Sequence, residues 1–174
     1  GYRSVVLAPG NYGEDFATNV LGIPPHRIVN MSNFVGHVLK EVQRIGFTRV
    51  LMVGHMGKFV KVAGGIFSTH SKDSDARMEI IMANLALLGA PVELLEKVDQ
   101  CITTDAAGTL IEEYHYEEVY QVLVDKMKFR SERLLRNRKP EVSIDVVTFG
   151  TEAGYLASTQ TLEEIADWGH RGRP

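Results

Sequence analysis

The sequence predicts an α/β fold: a mainly parallel, Rossmann-like sheet flanked by helices, with a helical block before the last strand. Three observations carry that expectation. Short β-branched runs at residues 4–9 (SVVLAP), 27–31 (RIVNM) and 49–53 (RVLMV) are separated by segments of ordinary helix length, the β-α-β-α-β order of parallel strands. A fourth run at 143–149 (SIDVVTF) returns only after a stretch of helical periodicity too long for a single crossover. With 44% hydrophobic residues among 174, the chain has enough apolar surface for a proper core. Residues 1–168 read as one α/β domain and 169–174 as a flexible tail.

Each element has its own signals. Pro9 and Gly10 break the first run, and GNYGEDFA (10–17) reads as a turn feeding a short helix over 14–21. Glu14 and Asp15 suit the positive end of that helix, and Gly22 closes it. Pro24 and Pro25 hold an extended connection into the second strand. Ser32 is the expected N-cap of the next helix, where Phe34, Val35, Val38, Leu39, Val42 and Ile45 recur at helical spacing before Gly46. Residues 54–71 read as a glycine-rich loop. Helices are then expected over 73–88 with Ile80, Ile81, Leu85 and Leu88 inward, and over 92–98 behind Pro91. A third starts from a Thr103 or Thr104 cap, and a fourth covers 116–136 through Val119, Leu123, Val124, Met127 and Leu134. Thr161 with Glu164 three residues on makes a capping box for a last short helix containing Trp168.

Composition narrows the function classes. Cys101 is the single cysteine, so no intrachain disulfide can form and a reducing compartment is the default. No run approaches the roughly 18 apolar residues of a membrane span, and no signal peptide precedes Tyr2. A soluble, cytoplasmic protein with no membrane partner is the expectation. The net charge of −3 and the lack of a dense Lys/Arg stripe argue against nucleic acid as a partner. A homo-oligomer is left open.

The chemistry gathers in residues 54–77, GHMGKFVKVAGGIFSTHSKDSDAR. Lys58, Lys61, Lys72 and Arg77 against Asp73 and Asp75 leave a local excess of about two positive charges in an acidic chain, which points to an anionic ligand. The strand ends at Gly10 and Asn11, Asn30, Gly54 and His55, and Gly150 are all small or polar, as a site at the carboxyl edge of a parallel sheet requires. GHMGK is not a phosphate-binding P-loop, since Met52 stands at its first glycine and Phe59 at its Ser/Thr. PGNYG is a poor dinucleotide fingerprint because Tyr12 takes the second glycine's place. His55, His70, Asp73 and Asp75 suggest a metal-dependent hydrolase as one alternative, but no His pair has the spacing that puts two ligands on one helix face.

Three stretches together carry a family resemblance: LAPGNYGEDFA (7–17), SNFVGHVLKEVQRIGFTRVLMVGH (32–55) and GHMGKFVKVAGGIFSTHSKDSDARMEI (54–80). They resemble the later half of the cobalt-precorrin-5B C-1 methyltransferases of the CbiD type, over about residues 5–149. The ordered Gly-His-x-Gly-Lys, Lys, Gly, Thr-His-Ser and Asp-x-Arg-x-Glu elements make the likeness specific. Members of that family carry an earlier domain with a Thr- and Gly-rich start, which this chain lacks.

The resemblance implies transfer of a methyl group from S-adenosyl-L-methionine to C-1 of a cobalt-containing tetrapyrrole in anaerobic cobalamin biosynthesis, giving cobalt-precorrin-6A. Cobalt is then carried by the substrate, and no protein-bound metal is expected. Lys58, Lys61, Thr69 and Arg77 are the implied substrate contacts, with His70 as a further cation. Gly10, Asn11, Gly13, Gly54 and Gly57 are the implied contacts of the methyl donor, and Glu14, Asp15 or Glu152 suit its hydroxyls or sulfonium. Either His55 or His70 is the candidate base, and the sequence does not choose. The runner-up is a noncatalytic domain that binds the tetrapyrrole while the other half does the chemistry.

Overall fold

The structure, a computed structural model, describes residues 3–169. Its elements are β1 (Ser4–Ala8), α1 (Gly10–Asn19), β2 (Ile28–Asn30), α2 (Val35–Ile45), β3 (Arg49–His55) and α3 (Met56–Ala63). They continue with α4 (Arg77–Leu87), α5 (Val92–Asp99), α6 (Thr104–Glu113), α7 (Glu118–Leu135), β4 (Ser143–Gly150), β5 (Gly154–Ser158), α8 (Leu162–Ala166) and a closing 3-10 turn, Asp167–Gly169. The strands form one sheet in the order β2-β1-β3-β4-β5. The first four run parallel, and β5 pairs antiparallel with β4 across a register shift between Thr148 and Phe149.

Parallel strands buried on both faces need apolar side chains in both pleats, and the strands here supply them. Val5, Leu7, Val50, Met52, Ile144 and Val146 point into a large core shared with α2 to α7. Their neighbours Val6, Leu51, Val53, Val147 and Phe149 point to a second core under α1 and the C-terminal turn, where Phe16 stacks on Phe149 with ring centroids 4.1 Å apart and Trp168 is fully buried. The helical block from α4 to α7 lies on the first of these faces, as its length required. Among the described residues no helix is long and apolar enough to cross a membrane.

Several local expectations need correction. The segment read as a turn at 10–17 makes up most of α1, which begins at Gly10 with no acidic residue in its first turn. Gly10 makes this possible because it enters the helix at φ +67°, a left-handed conformation that costs a side-chain-bearing residue more. Ser32 does not cap α2. It sits in the preceding turn at φ 48° with its own N–H given to Asn30 Oδ1 at 2.8 Å, and Phe34 takes the N-cap place. Phe34 and Ile45 are exposed, and the polar Gln43 is buried instead because its Nε2 donates to the carbonyls of Leu135, Arg138 and Pro140 at the end of α7.

The largest correction is that residues 54–71 are not a loop throughout. β3 continues to His55 and passes directly into α3, whose Phe59, Val60, Val62 and Ala63 are buried; the helix at 73–88 starts only at Arg77. β5 was not foreseen: it is a short antiparallel edge strand, and its last two residues alone are buried. Trp168 lies in the 3-10 turn rather than in α8, and Gly169 closes that turn; the remaining tail, 170–174, lies outside the described residues.

The passage from β3 to α3 demands glycine at 54. A methyl group there would collide with the ring of the fully buried Phe59. Gly54→Ala is expected to destabilise the fold by roughly 1–3 kcal/mol through overpacking, read as a lowered urea midpoint with unchanged m-value.

Candidate functional site

The sheet order puts β1 and β3 side by side, with α1 and α3 leaving them onto opposite faces. That divergence is the topological switch point where open α/β sheets hold ligands, at the carboxyl ends of the strands. Here it is flanked by the N-termini of two helices. Asn30 at the end of β2 secures one of them, since its Oδ1 accepts from Gly10 N at 3.1 Å. A methyl on Gly10 would stand 3.7 Å from Lys58 Nζ, so the β1 and β3 turns do share one edge of the sheet.

Lys58, Lys61, Thr69, His70 and Arg77 all line one pocket of about 320 Å³, together with Asn33 and Ser71, which sequence reasoning did not single out. Convergence does not give them equal freedom. Lys61 is only 2% exposed, and its ammonium donates to Thr69 O at 3.0 Å and Ser74 O at 2.8 Å. Burial pushes its pKa down, and the positive charge of Arg77 pushes the same way. This lysine therefore fastens its own loop. Thr69 is buried too, its N–H given to Asn33 O at 3.1 Å, which ties the loop to the turn before α2.

Arg77 Nε donates to Asp75 Oδ1 at 2.9 Å, and Nη2 to Ile102 O at 2.9 Å. The guanidinium hydrogen bond holds the Asp75 carboxyl below its ordinary range. Ala76 just before it adopts φ 44°, a strained left-handed conformation of the kind that collects at ligand sites. Asp73 accepts from Ser68 Oγ at 2.9 Å rather than from a cation. Lys58 alone of the pocket's cations, half-buried, has no hydrogen bond or ion pair among the described residues.

The glycines and histidines divide in the same way. Gly13 and Gly54 are buried, and a methyl on Gly13 would come within 2.8 Å of Val53 O, so both serve the close approach of elements inside the fold. Gly57 supports a cap: its N–H donates to His55 Nδ1 at 2.9 Å, and a methyl there would press on that ring. Gly10 is half-buried and Asn11 exposed.

With Nδ1 of His55 accepting, the neutral ring carries its hydrogen on Nε2. That nitrogen lies 3.0 Å from Thr151 Oγ1 and 3.4 Å from Asp105 Oδ2. His70 repeats the pattern, Nδ1 accepting from Lys72 N at 3.1 Å, and its Nε2 side is exposed. Both imidazoles therefore present N–H donors rather than lone pairs.

Asp105 and Thr151 were not expected from the sequence. Asp105 accepts from Thr151 N at 2.9 Å and from its hydroxyl at 2.8 Å, joining the start of α6 to the β4–β5 turn. Burial alone would raise this carboxyl, but the two Thr151 hydrogen bonds and the nearby His55 outweigh it and hold the pKa low. The one available signal was the cap expected at Thr103 or Thr104; Thr103 takes it, accepting from Ala106 N at 3.1 Å, and this places Asp105 in the first turn of α6.

Residues 68–160 match the family model described as CbiD, C-terminal domain. The chain belongs to that family. It is 58% identical over 167 residues to the cobalt-precorrin-5B C(1)-methyltransferase of Listeria welshimeri, covering 96% of this chain and 45% of that protein. The proteins of that name from Clostridioides difficile and Citrobacter koseri are 41% and 43% identical over 96% of this chain, and 41% and 44% of their own lengths are covered. The chain thus spans a little under half the length of these curated CbiD-family relatives. No solved structure matches it.

Two outcomes follow for this CbiD-family domain. Lys61→Met strands the carbonyls of Thr69 and Ser74 and is expected to cost roughly 1–3 kcal/mol of stability, read from the urea midpoint, whereas Lys58→Ala should leave that midpoint nearly unchanged. Asp105 titrates lower in the folded state than when unfolded. Its contribution is therefore complete above the ordinary carboxylate pKa and fades as pH falls through the lowered one. Asp105→Asn should flatten the loss of stability as pH falls below about 5, and an unchanged acid limb would exclude this role.

Proposed function

We propose that this chain is the ring-gripping part of an S-adenosylmethionine-dependent methyltransferase acting at C-1 of cobalt-precorrin-5B. The observation that carries the reading is Lys58. It is a half-buried ammonium with no partner among the described residues, in a pocket shared with Arg77 and the N–H face of His70, beside the start of α1. The substrate this reading assigns is a broad apolar ring fringed with carboxylates, and a cation held ready at a helix N-terminus suits such groups. Family membership and the relatives' shared name support the same assignment.

In this reading the methyl donor supplies an electrophilic methyl on a sulfonium sulfur, and the protein's share of the work is alignment. Lys58 and Arg77 bind carboxylates of the ring, and Gly10 stands beside Lys58 at the edge of that pocket. Lys61 and Thr69 hold the loop in shape. His70 donates to a carboxylate through Nε2–H, and His55 positions the first turn of α3; neither offers a free lone pair to a departing proton.

The reading as a noncatalytic ring-binding domain keeps one observation in its favour, the engagement of Nδ1 in both His55 and His70 by backbone N–H groups. The hydrolase reading has none. His55, Asp73 and Asp75 are engaged with Thr151, Ser68 and Arg77 respectively, and no group of three or more potential metal ligands gathers among the described residues.

Lys58→Ala and Arg77→Ala should each weaken binding of a carboxylated cobalt tetrapyrrole by roughly 1.5–3 kcal/mol, about tenfold to a hundredfold, with melting temperature as the folding control. Unchanged affinity in both would remove the ring-gripping assignment.

A further inference from the structure

A second, larger cleft of about 740 Å³ opens between α6, the start of α7 and the β4–β5 turn. Its charge is the opposite of the ring pocket's. Asp105, Glu112, Glu117 and Glu152 line it, and no Lys, Arg or His does. Asp105 is spoken for by Thr151, but Glu112, Glu117 and Glu152 make no ion pair or hydrogen bond through their carboxylates among the described residues.

Acidic side chains alone would be ordinary solvated surface. What marks this cleft is two largely buried side chains whose hydroxyls have no protein partner among the described residues. Tyr120 is 8% exposed and Thr104 6%, both line the cleft, and neither hydroxyl has a hydrogen-bond partner among the described residues. The protein fixes both side chains by burial and leaves their hydroxyls to the cavity, where a bound molecule can take the hydrogen bonds that no described residue supplies. Gly108 keeps the tyrosine open: a methyl there would stand 3.0 Å from Tyr120 Oη. Burial first, then the charges of Asp105, Glu117 and Glu112, push the Tyr120 pKa up to about 12, so the phenol keeps its proton.

Building on the methyltransferase reading, we infer that this cleft seats the methyl donor, a sulfonium-bearing nucleoside. A sulfonium cannot donate a hydrogen bond and is held by negative field and soft apolar contact, which the free carboxylates and the Met56 and Leu156 walls offer together. Ribose hydroxyls suit carboxylate acceptors and the Thr104 and Tyr120 hydroxyls. The volume lies within the roughly 300–1,000 Å³ of small-molecule sites. The position also fits. Thr104 Oγ1 would lie 3.4 Å from a methyl on Gly57, and Gly57 lines the ring pocket, so the two cavities flank the first turn of α3. The anionic ring and the cationic donor each have a cavity of complementary sign, and the cavities adjoin.

Calorimetric titration of the chain with S-adenosylmethionine and with uncharged-sulfur S-adenosylhomocysteine tests this. Tyr120→Phe should weaken both by roughly two- to tenfold. Glu152→Gln should weaken the sulfonium form more than the thioether form, because only the former carries the charge. Gly108→Ala, which favours the helix, should cut binding of both without lowering the melting temperature.

Wild-type affinity in all three variants overturns the assignment. So does a folded wild-type chain that takes up neither nucleoside. In both cases the ring-gripping reading stands or falls separately, on tetrapyrrole binding by Lys58→Ala.

Discussion

The imidazole of His55 stands where β3 becomes α3 with no loop between them, and the arrangement of the sheet's carboxyl edge depends on it. Nδ1 caps the helix through Gly57, while Nε2 faces Thr151 and Asp105. Three segments far apart in sequence, the β3–α3 junction, the start of α6 and the β4–β5 turn, meet around one ring. The edge of Phe149 lies against it with centroids 5.5 Å apart, so its orientation is packed as well as hydrogen-bonded. A direct strand-to-helix passage also requires Gly54, because Phe59 fills the space a side chain would need.

Around that joint the electrostatics separate by sign. On one side Lys58, Arg77 and His70 face a small pocket, and on the other four carboxylates face a larger one. The chain's net charge of −3 conceals this division. The first turn of α3 stands between the two sets. Opposite fields so close together would each disfavour a ligand of the other's sign, which a uniform surface could not do. Lys61 shows the limit of reading by charge alone: surrounded by cations, it is buried and given to two carbonyls of its own loop.

Much of the site was legible in the primary structure, because it lies in one continuous run. Lys58, Lys61, Thr69, His70 and Arg77 span twenty residues and converge on one pocket. Their division of labour was not legible. Whether a lysine reaches solvent or its own backbone depends on where the chain folds next, and the carbonyls of Thr69 and Ser74 are acceptors only in that folded loop. The helical nature of 56–63 was obscured by the glycines and lysines around it, while the buried stripe of Phe59, Val60, Val62 and Ala63 decided otherwise.

By itself the sequence determined the four parallel strands, the helical block, the Thr161 cap and the family, and it narrowed the cap of α6 to Thr103 or Thr104. These rest on local periodicity, capping chemistry and ordered motifs, all of which act within a few turns of chain. Tertiary structure decided which residues became neighbours across long separations: β5 beside β4, Asp105 beside Thr151 and His55, and Tyr120 and Thr104 around one cleft. An isolated aspartate in a helix start or a tyrosine in an amphipathic stripe carries no mark of its eventual partners. Those partners are set by the sheet order β2-β1-β3-β4-β5, which brings distant strand ends to a common edge.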